Sequence, residues 1–178
     1  MNREEWFAQL FTRLGNSKFR SSFKLKKKDI QMNQDLIVSK VHAILENAMP
    51  GVFSKYKDHI ADYFAVNSKL YDMYIKIDIF DTQAEIFTQE RGQRIITYHT
   101  DNESVVIYTI LNDIIGLEAE NTTWEEFANK DTESLHYSNE TREFQKNIKD
   151  DAFAKAGTPY DEWHKQGINF FTLDKIIY

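Results

Sequence analysis

The stretch that decides the fold is residues 71–100, YDMYIKIDIFDTQAEIFTQERGQRIITYHT. In its first ten residues Tyr71, Met73, Ile75, Ile77 and Ile79 alternate with Asp72, Tyr74, Lys76, Asp78 and Phe80. A period of two is that of a strand with one face buried, so the odd-numbered set is expected to face the core. Residues Ala84 to Gln89 and Gln93 to His99 read as two further strands. Glu90, Arg91 and Gly92 join them, and Gly accepts the positive φ that a tight hairpin turn requires. The expectation is a three-stranded antiparallel meander over residues 71–99.

On either side of this block the period lengthens to that of a helix. Upstream, Asn2 with Glu5 has the spacing of a capping box, and Trp6, Phe7, Leu10, Phe11 and Leu14 recur on one helical face before Gly15. Ile37, Val41, Ile44, Leu45 and Ala48 mark a second helix over about residues 35–48, stopped by Pro50 and Gly51. Tyr56, Ile60, Tyr63 and Phe64 mark a third. Downstream, Thr100 and Glu103 have capping-box spacing, and Val106, Ile110, Asp113, Ile114 and Leu117 follow one stripe that Trp124 and Phe127 prolong past Gly116. Phe144, Ile148 and Ala152 mark another helix ending near Gly157. A short one carrying Trp163 is expected to start with Thr158 as cap and Pro159 as first residue, and to close at Gly167. Residues 168–178 read as a possible strand. With no internal repeat and no Pro-rich linker, the expectation is one α+β domain over 1–178: helical over 1–70, the meander over 71–99, helical over 100–167.

The 178 residues carry 22 Lys and Arg, 28 Asp and Glu, and no Cys, for a net charge of −6. Without Cys there are no disulfides, thiolate metal sites or Cys nucleophiles. No apolar run approaches the roughly 20 residues of a membrane span. The first residues lack the layout of a signal peptide, and the expected location is the cytoplasm. Charge is polarised along the chain: residues 1–28 carry a net +6, whereas residues 101–178 carry −9.

Catalytic signatures are sparse. His42, His59, His99, His136 and His164 include no HExxH pair, the spacing that sets two imidazoles on one helical face beside a general base. Six Gly form no phosphate-cradling loop, and no Ser sits in a nucleophile elbow. The spacing of His136 and Glu140, and the cluster Asp161, Glu162 and His164, are the residues from which an enzymatic site would be built as acid, base or ligand. No cofactor or metal is expected. In SKFRSSFKLKKK, residues 17–28, aromatic and basic residues interleave, a pattern suited to nucleic acid and equally to a connector whose Phe side chains pin it to a core. The negative net charge argues against nucleic acid. The carboxylates Glu120, Glu125, Glu126, Asp131 and Glu133, together with Glu118, form the densest acidic run, either a solvated helix face or a docking surface for a basic protein.

From Phe87 to Gly167 the order of features resembles a family of bacterial polymorphic-toxin immunity proteins, the one catalogued as immunity protein 63. The resemblance is carried by the turn Glu90, Arg91, Gly92, by Asp101 leading into Val105 to Ile114, by the acidic stretch, and by the late helix around Arg142, Phe144 and Gln145. It implies a small cytoplasmic binding protein without catalysis of its own. Such a protein neutralises a cognate toxin by covering its active surface, and Glu120, Glu125, Glu126, Asp131 and Glu133 would be the docking residues. Separately, SKFRSSFKL followed by His42 and Ala43 resembles the opening of a bacterial domain family of unknown function, whose Cys- and His-rich remainder is not present here.

Overall fold

The computed structural model describes residues 32–65, 75–90, 93–128 and 138–176. The helix expected over residues 2–15, the basic segment 17–28, the turn residues Arg91 and Gly92, and Asp131, Glu133 and His136 lie outside the described residues, as do Tyr71, Met73 and the last two residues.

The α+β meander is present. Strands β1 (Ile75–Phe80), β2 (Gln83–Glu90) and β3 (Gln93–Thr100) form a three-stranded antiparallel sheet in the order β1-β2-β3. Helices precede it, α1 (Gln34–Ala48), α2 (Val52–Lys55) and α3 (Lys57–Asp62), and others follow: α4 (Glu103–Phe127), α5 (Asn139–Ala156) and α6 (Tyr160–Lys165).

Helix α1 begins where Asn33 accepts from the amides of Asp35 at 2.8 Å and Leu36 at 3.2 Å, satisfying N–H groups that no preceding turn can reach. Its buried residues Ile37, Val41, Leu45 and Ala48 keep helical spacing, and the chain then turns at Gly51, whose φ of 84° suits a residue without Cβ.

The register Ile75↔Thr88, Ile77↔Ile86 and Ile79↔Ala84 sets the odd residues of β1 on one face with Ile86 and Ala84 of β2. Ile77 is the fully committed member of that face: it is buried, while Ile75 and Ile79 pack against the core from partly exposed positions. The opposite face is not simply solvated. Phe87 is buried there beneath the Arg94 guanidinium, 3.9 Å from its ring centroid, and Arg94 also pairs with Asp78 and Glu85.

Helix α4 is the axis of the core, in contact with α1, α5 and the sheet. Every residue from Val105 to Leu111 is buried, so the single apolar stripe expected from Val106, Ile110, Asp113, Ile114 and Leu117 is replaced in its first half by burial on all sides. A helix surrounded by partners has no solvent face to keep polar.

Three expectations change at element ends. Asn102, not Thr100, caps α4, accepting from the Ser104 amide at 2.9 Å, while the Thr100 hydroxyl accepts from the Asn102 amide at 3.1 Å one step earlier. Helix α6 starts at Tyr160 with Pro159 as its N-cap, and Thr158 makes no capping bond. The possible strand over 168–178 is instead a 3₁₀ helix, Phe170–Lys175. There Asn169 and Thr172 cap each other reciprocally, and the buried residues Ile168, Phe170, Leu173 and Ile176 are spaced for a tight helical turn rather than for alternation.

Candidate functional site

Two features of the described residues are candidates for a functional site: the acidic end of α4, and a pocket between the sheet, α4 and the C-terminal 3₁₀ helix.

Of the acidic run, Glu120, Glu125 and Glu126 are exposed on the last two turns of α4. At about 100° per residue, Glu120, Trp124 and Glu125 fall within one arc of roughly 140°, whereas Glu126 lies about 100° further round. Trp124 is 45% exposed between the two carboxylates. Glu118 serves a different purpose. Its Oε2 accepts from Lys55 Nζ at 2.6 Å and from the Tyr56 hydroxyl at 2.9 Å, and Asn121 donates to the same hydroxyl at 2.6 Å. These bonds brace the acidic end of α4 against α2 and the residue that follows it.

The pocket, of about 600 Å³, is built around a defect in the sheet. Phe87 pairs with Thr97 and Gln89 with Arg94, so Thr88 alone faces the two residues Ile95 and Ile96. Such a bulge breaks the alternation of faces and re-aims side chains, and here Ile95, Ile96 and Thr88 all line the pocket. Helix α4 contributes Tyr108, Thr109, Asn112 and Asp113, and the 3₁₀ helix closes the far side with Phe170, Phe171 and Leu173.

Asp113 is held from behind. Its Oδ2 accepts a hydrogen bond from the Tyr63 hydroxyl and lies 3.3 Å from His59 Nε2, so α3 and the residue after it fix the carboxylate. Burial, reinforced by the charge of Asp113 and the bond to it, raises the Tyr63 hydroxyl well above its ordinary range and keeps it a donor. Tyr108 is raised too, by burial alone, and donates to the Ile168 carbonyl at 2.7 Å. A group whose folded pKa is raised contributes stability below the unfolded value of about 10, lost as pH rises toward the folded value. In a tyrosinate absorbance titration, Tyr63 and Tyr108 are therefore expected to ionise only with unfolding, above about pH 10. Tyr63→Phe should remove one equivalent from that cooperative step, and smooth ionisation of the folded wild type near pH 10 would contradict these environments.

Of the two histidines proposed for an enzymatic site, His164 lies among the described residues and is placed otherwise. His164 Nε2 is 2.7 Å from Asp150 Oδ1 and its ring stacks on Phe153 at 4.3 Å. The Asp150 carboxyl is held below the usual range by its hydrogen bonds to Lys146 and His164. Asp161 pairs with Lys165 at 2.7 Å. Asp161, Glu162 and His164 thus do not converge on one another, and among the described residues there is no group of three or more His, Asp or Glu arranged for a metal ion. Also among the described residues, no helix is long and apolar enough to cross a membrane.

Asp113 is the residue that sequence reasoning placed on an apolar stripe without using it. The signal was present: Thr109, Asn112 and Asp113, at i, i+3 and i+4 on one helical face, interrupt the apolar run VVIYTILNDIIGL of residues 105–117. In comparison with known proteins, no family model, no curated protein and no solved structure matches the chain.

Proposed function

We propose that this protein is a non-catalytic protein-binding module that docks a basic partner through the acidic end of α4. In that reading it acts in the cytoplasm as an immunity protein, holding a cognate bacterial toxin inactive by covering its working surface. The observation that carries the reading is the shared exposed arc of Glu120, Trp124 and Glu125. An exposed Trp is the residue type that most often anchors a protein interface, and carboxylates around it steer a basic partner into place. The bracing of Glu118 and Asn121 by Lys55 and Tyr56 keeps that end ordered before binding, which reduces the entropy lost on association. Asp131 and Glu133, which follow in the chain, extend the acidic run.

The test uses the protein encoded by the gene immediately upstream, which this reading expects to carry a toxin domain. Glu120→Lys with Glu125→Lys is expected to slow association by about tenfold or more at low salt and to flatten its salt dependence, since exposed charges act by steering. Trp124→Ala should chiefly speed dissociation. Both variants should melt within about 0.5 kcal/mol of the wild type, because the changed residues are on the surface. Unchanged association rate and salt dependence would remove the acidic end as the docking site. An upstream gene that encodes no toxin would remove the immunity role.

A further inference from the structure

We propose that the pocket behind the β3 bulge is a separate binding site for a small apolar molecule that carries an ammonium group. Its size, about 600 Å³, lies within the range of roughly 300–1,000 Å³ usual for small-ligand sites. Its walls supply an apolar body and a polar end. Ile75, Ile96 and Leu173 form the apolar part, and Ile95 and Phe171 stand beside it 50% and 66% exposed. Two of the few large apolar side chains left exposed to water therefore line one cavity, an arrangement that costs solubility unless something covers them.

The polar end is built for a cation. Both contacts to Asp113 from α3 and Tyr63 fall on Oδ2, so Oδ1 has no partner among the described residues. Asn112, beside it on α4, likewise has no side-chain hydrogen bond among the described residues. Across the pocket Thr88 is only 6% exposed, and its hydroxyl too has no partner among the described residues. Carboxylate, amide and hydroxyl oxygens all accept, and an ammonium group offers three N–H donors and a positive charge. A carboxylate ligand would meet the Asp113 charge with none of these gains. Tyr63, a donor at neutral pH, fixes the orientation of Asp113 without neutralising it.

This inference does not depend on the docking role of α4, and its test is separate. Three probes of one shape differ only at the polar end: 2-phenylethylamine, 2-phenylethanol and 3-phenylpropionate. Their binding to the full chain is measured by calorimetry and by amide chemical shifts. The amine is expected to bind at least tenfold more tightly than the alcohol, with the carboxylate weakest, and to shift amides around Thr88, Ile95 and Asn112. Asp113→Asn should abolish the preference for amine over alcohol. Because that change also touches Tyr63, Ile95→Trp, at an exposed position, provides a second variant: it should fold as the wild type does and lose the amine by crowding the pocket mouth. Equal affinity for amine and alcohol, no detectable binding of the amine at millimolar concentration, or undiminished binding to the Ile95→Trp variant would each overturn the proposal.

Discussion

Ile77→Asp is expected to cost about 3 kcal/mol or more of folding stability, because it places a carboxylate without a partner in the middle of the sheet's buried face. Ile77 is buried and pairs with Ile86, itself fully buried, and its backbone N–H donates to the Tyr63 carbonyl at 2.8 Å. That bond ties β1 to the residue after α3, so the strand has little freedom to turn the new carboxylate outward. For a chain of this size each kcal/mol lowers the melting temperature by roughly 2–4 °C, which makes the expected fall on the order of 10 °C in a circular-dichroism melt. Phe80→Asp is the matched control. Phe80 lies on the same strand, is even-numbered and is mostly exposed, so the same chemical change should move stability by no more than about 0.5 kcal/mol. Equal melting temperatures for the two variants would mean that the odd residues of β1 do not face the core.

This contrast between faces is what made the sheet legible before any coordinates. Alternation over Ile75 to Phe80 and the Gly-containing break at residue 92 placed β2 and β3 to within a residue of where they are found. Capping chemistry was less transparent. Thr100, Asp101 and Asn102 are all cap-forming residue types in succession, and which one caps depends on where the preceding strand releases the backbone. Helix α4 shows a different limit. A run such as Val105–Leu111 has apolar residues on every face, and periodicity alone cannot say how many partners will surround it. The partners of Asp113 are Tyr63 and His59, 50 and 54 residues away in sequence, and nothing in the local pattern indicates that they meet. The bulge, by contrast, had a local mark: Ile95 and Ile96 are adjacent apolar residues in a strand that otherwise alternates. The 3₁₀ helix had one as well, in the Asn169–Thr172 spacing, which outweighs the apparent alternation of Ile168, Phe170 and Thr172. Of the four described glutamates of the acidic run, Glu120, Glu125 and Glu126 lie on the surface, whereas Glu118 is mostly covered by its bonds to Lys55 and Tyr56, and only helical geometry separates Glu126 from Glu120 and Glu125.

The other large expected effect concerns Phe153, where three helices share one ring. Phe153 is fully buried on α5, its centroid 5.7 Å from that of Tyr108 on α4 and 4.3 Å from that of His164 on α6. Trp163 of α6 meets the same Tyr108 edge-on at 5.4 Å. Phe153→Ala removes the ring that this cluster closes around, and the surrounding backbone, held by the Tyr108 bond to Ile168 and by the Asp150–His164 pair, cannot collapse far enough to fill the space. The expected cost is about 3–5 kcal/mol, read as a lower urea midpoint at unchanged slope. Phe153→Leu keeps most of the volume and should cost less, about 1–2 kcal/mol, with the loss of ring stacking on His164 as its main source. The order of the two variants separates cavity formation from aromatic contact. If Ala and Leu were equally destabilising, the stacking of Phe153 on His164 would dominate this part of the core, and His164→Ala would then have to reproduce the same loss. If Phe153→Ala cost under about 1 kcal/mol, the docking of α5 and α6 on α4 would contribute little to the stability of the fold, and the weight would shift to α1 and the sheet.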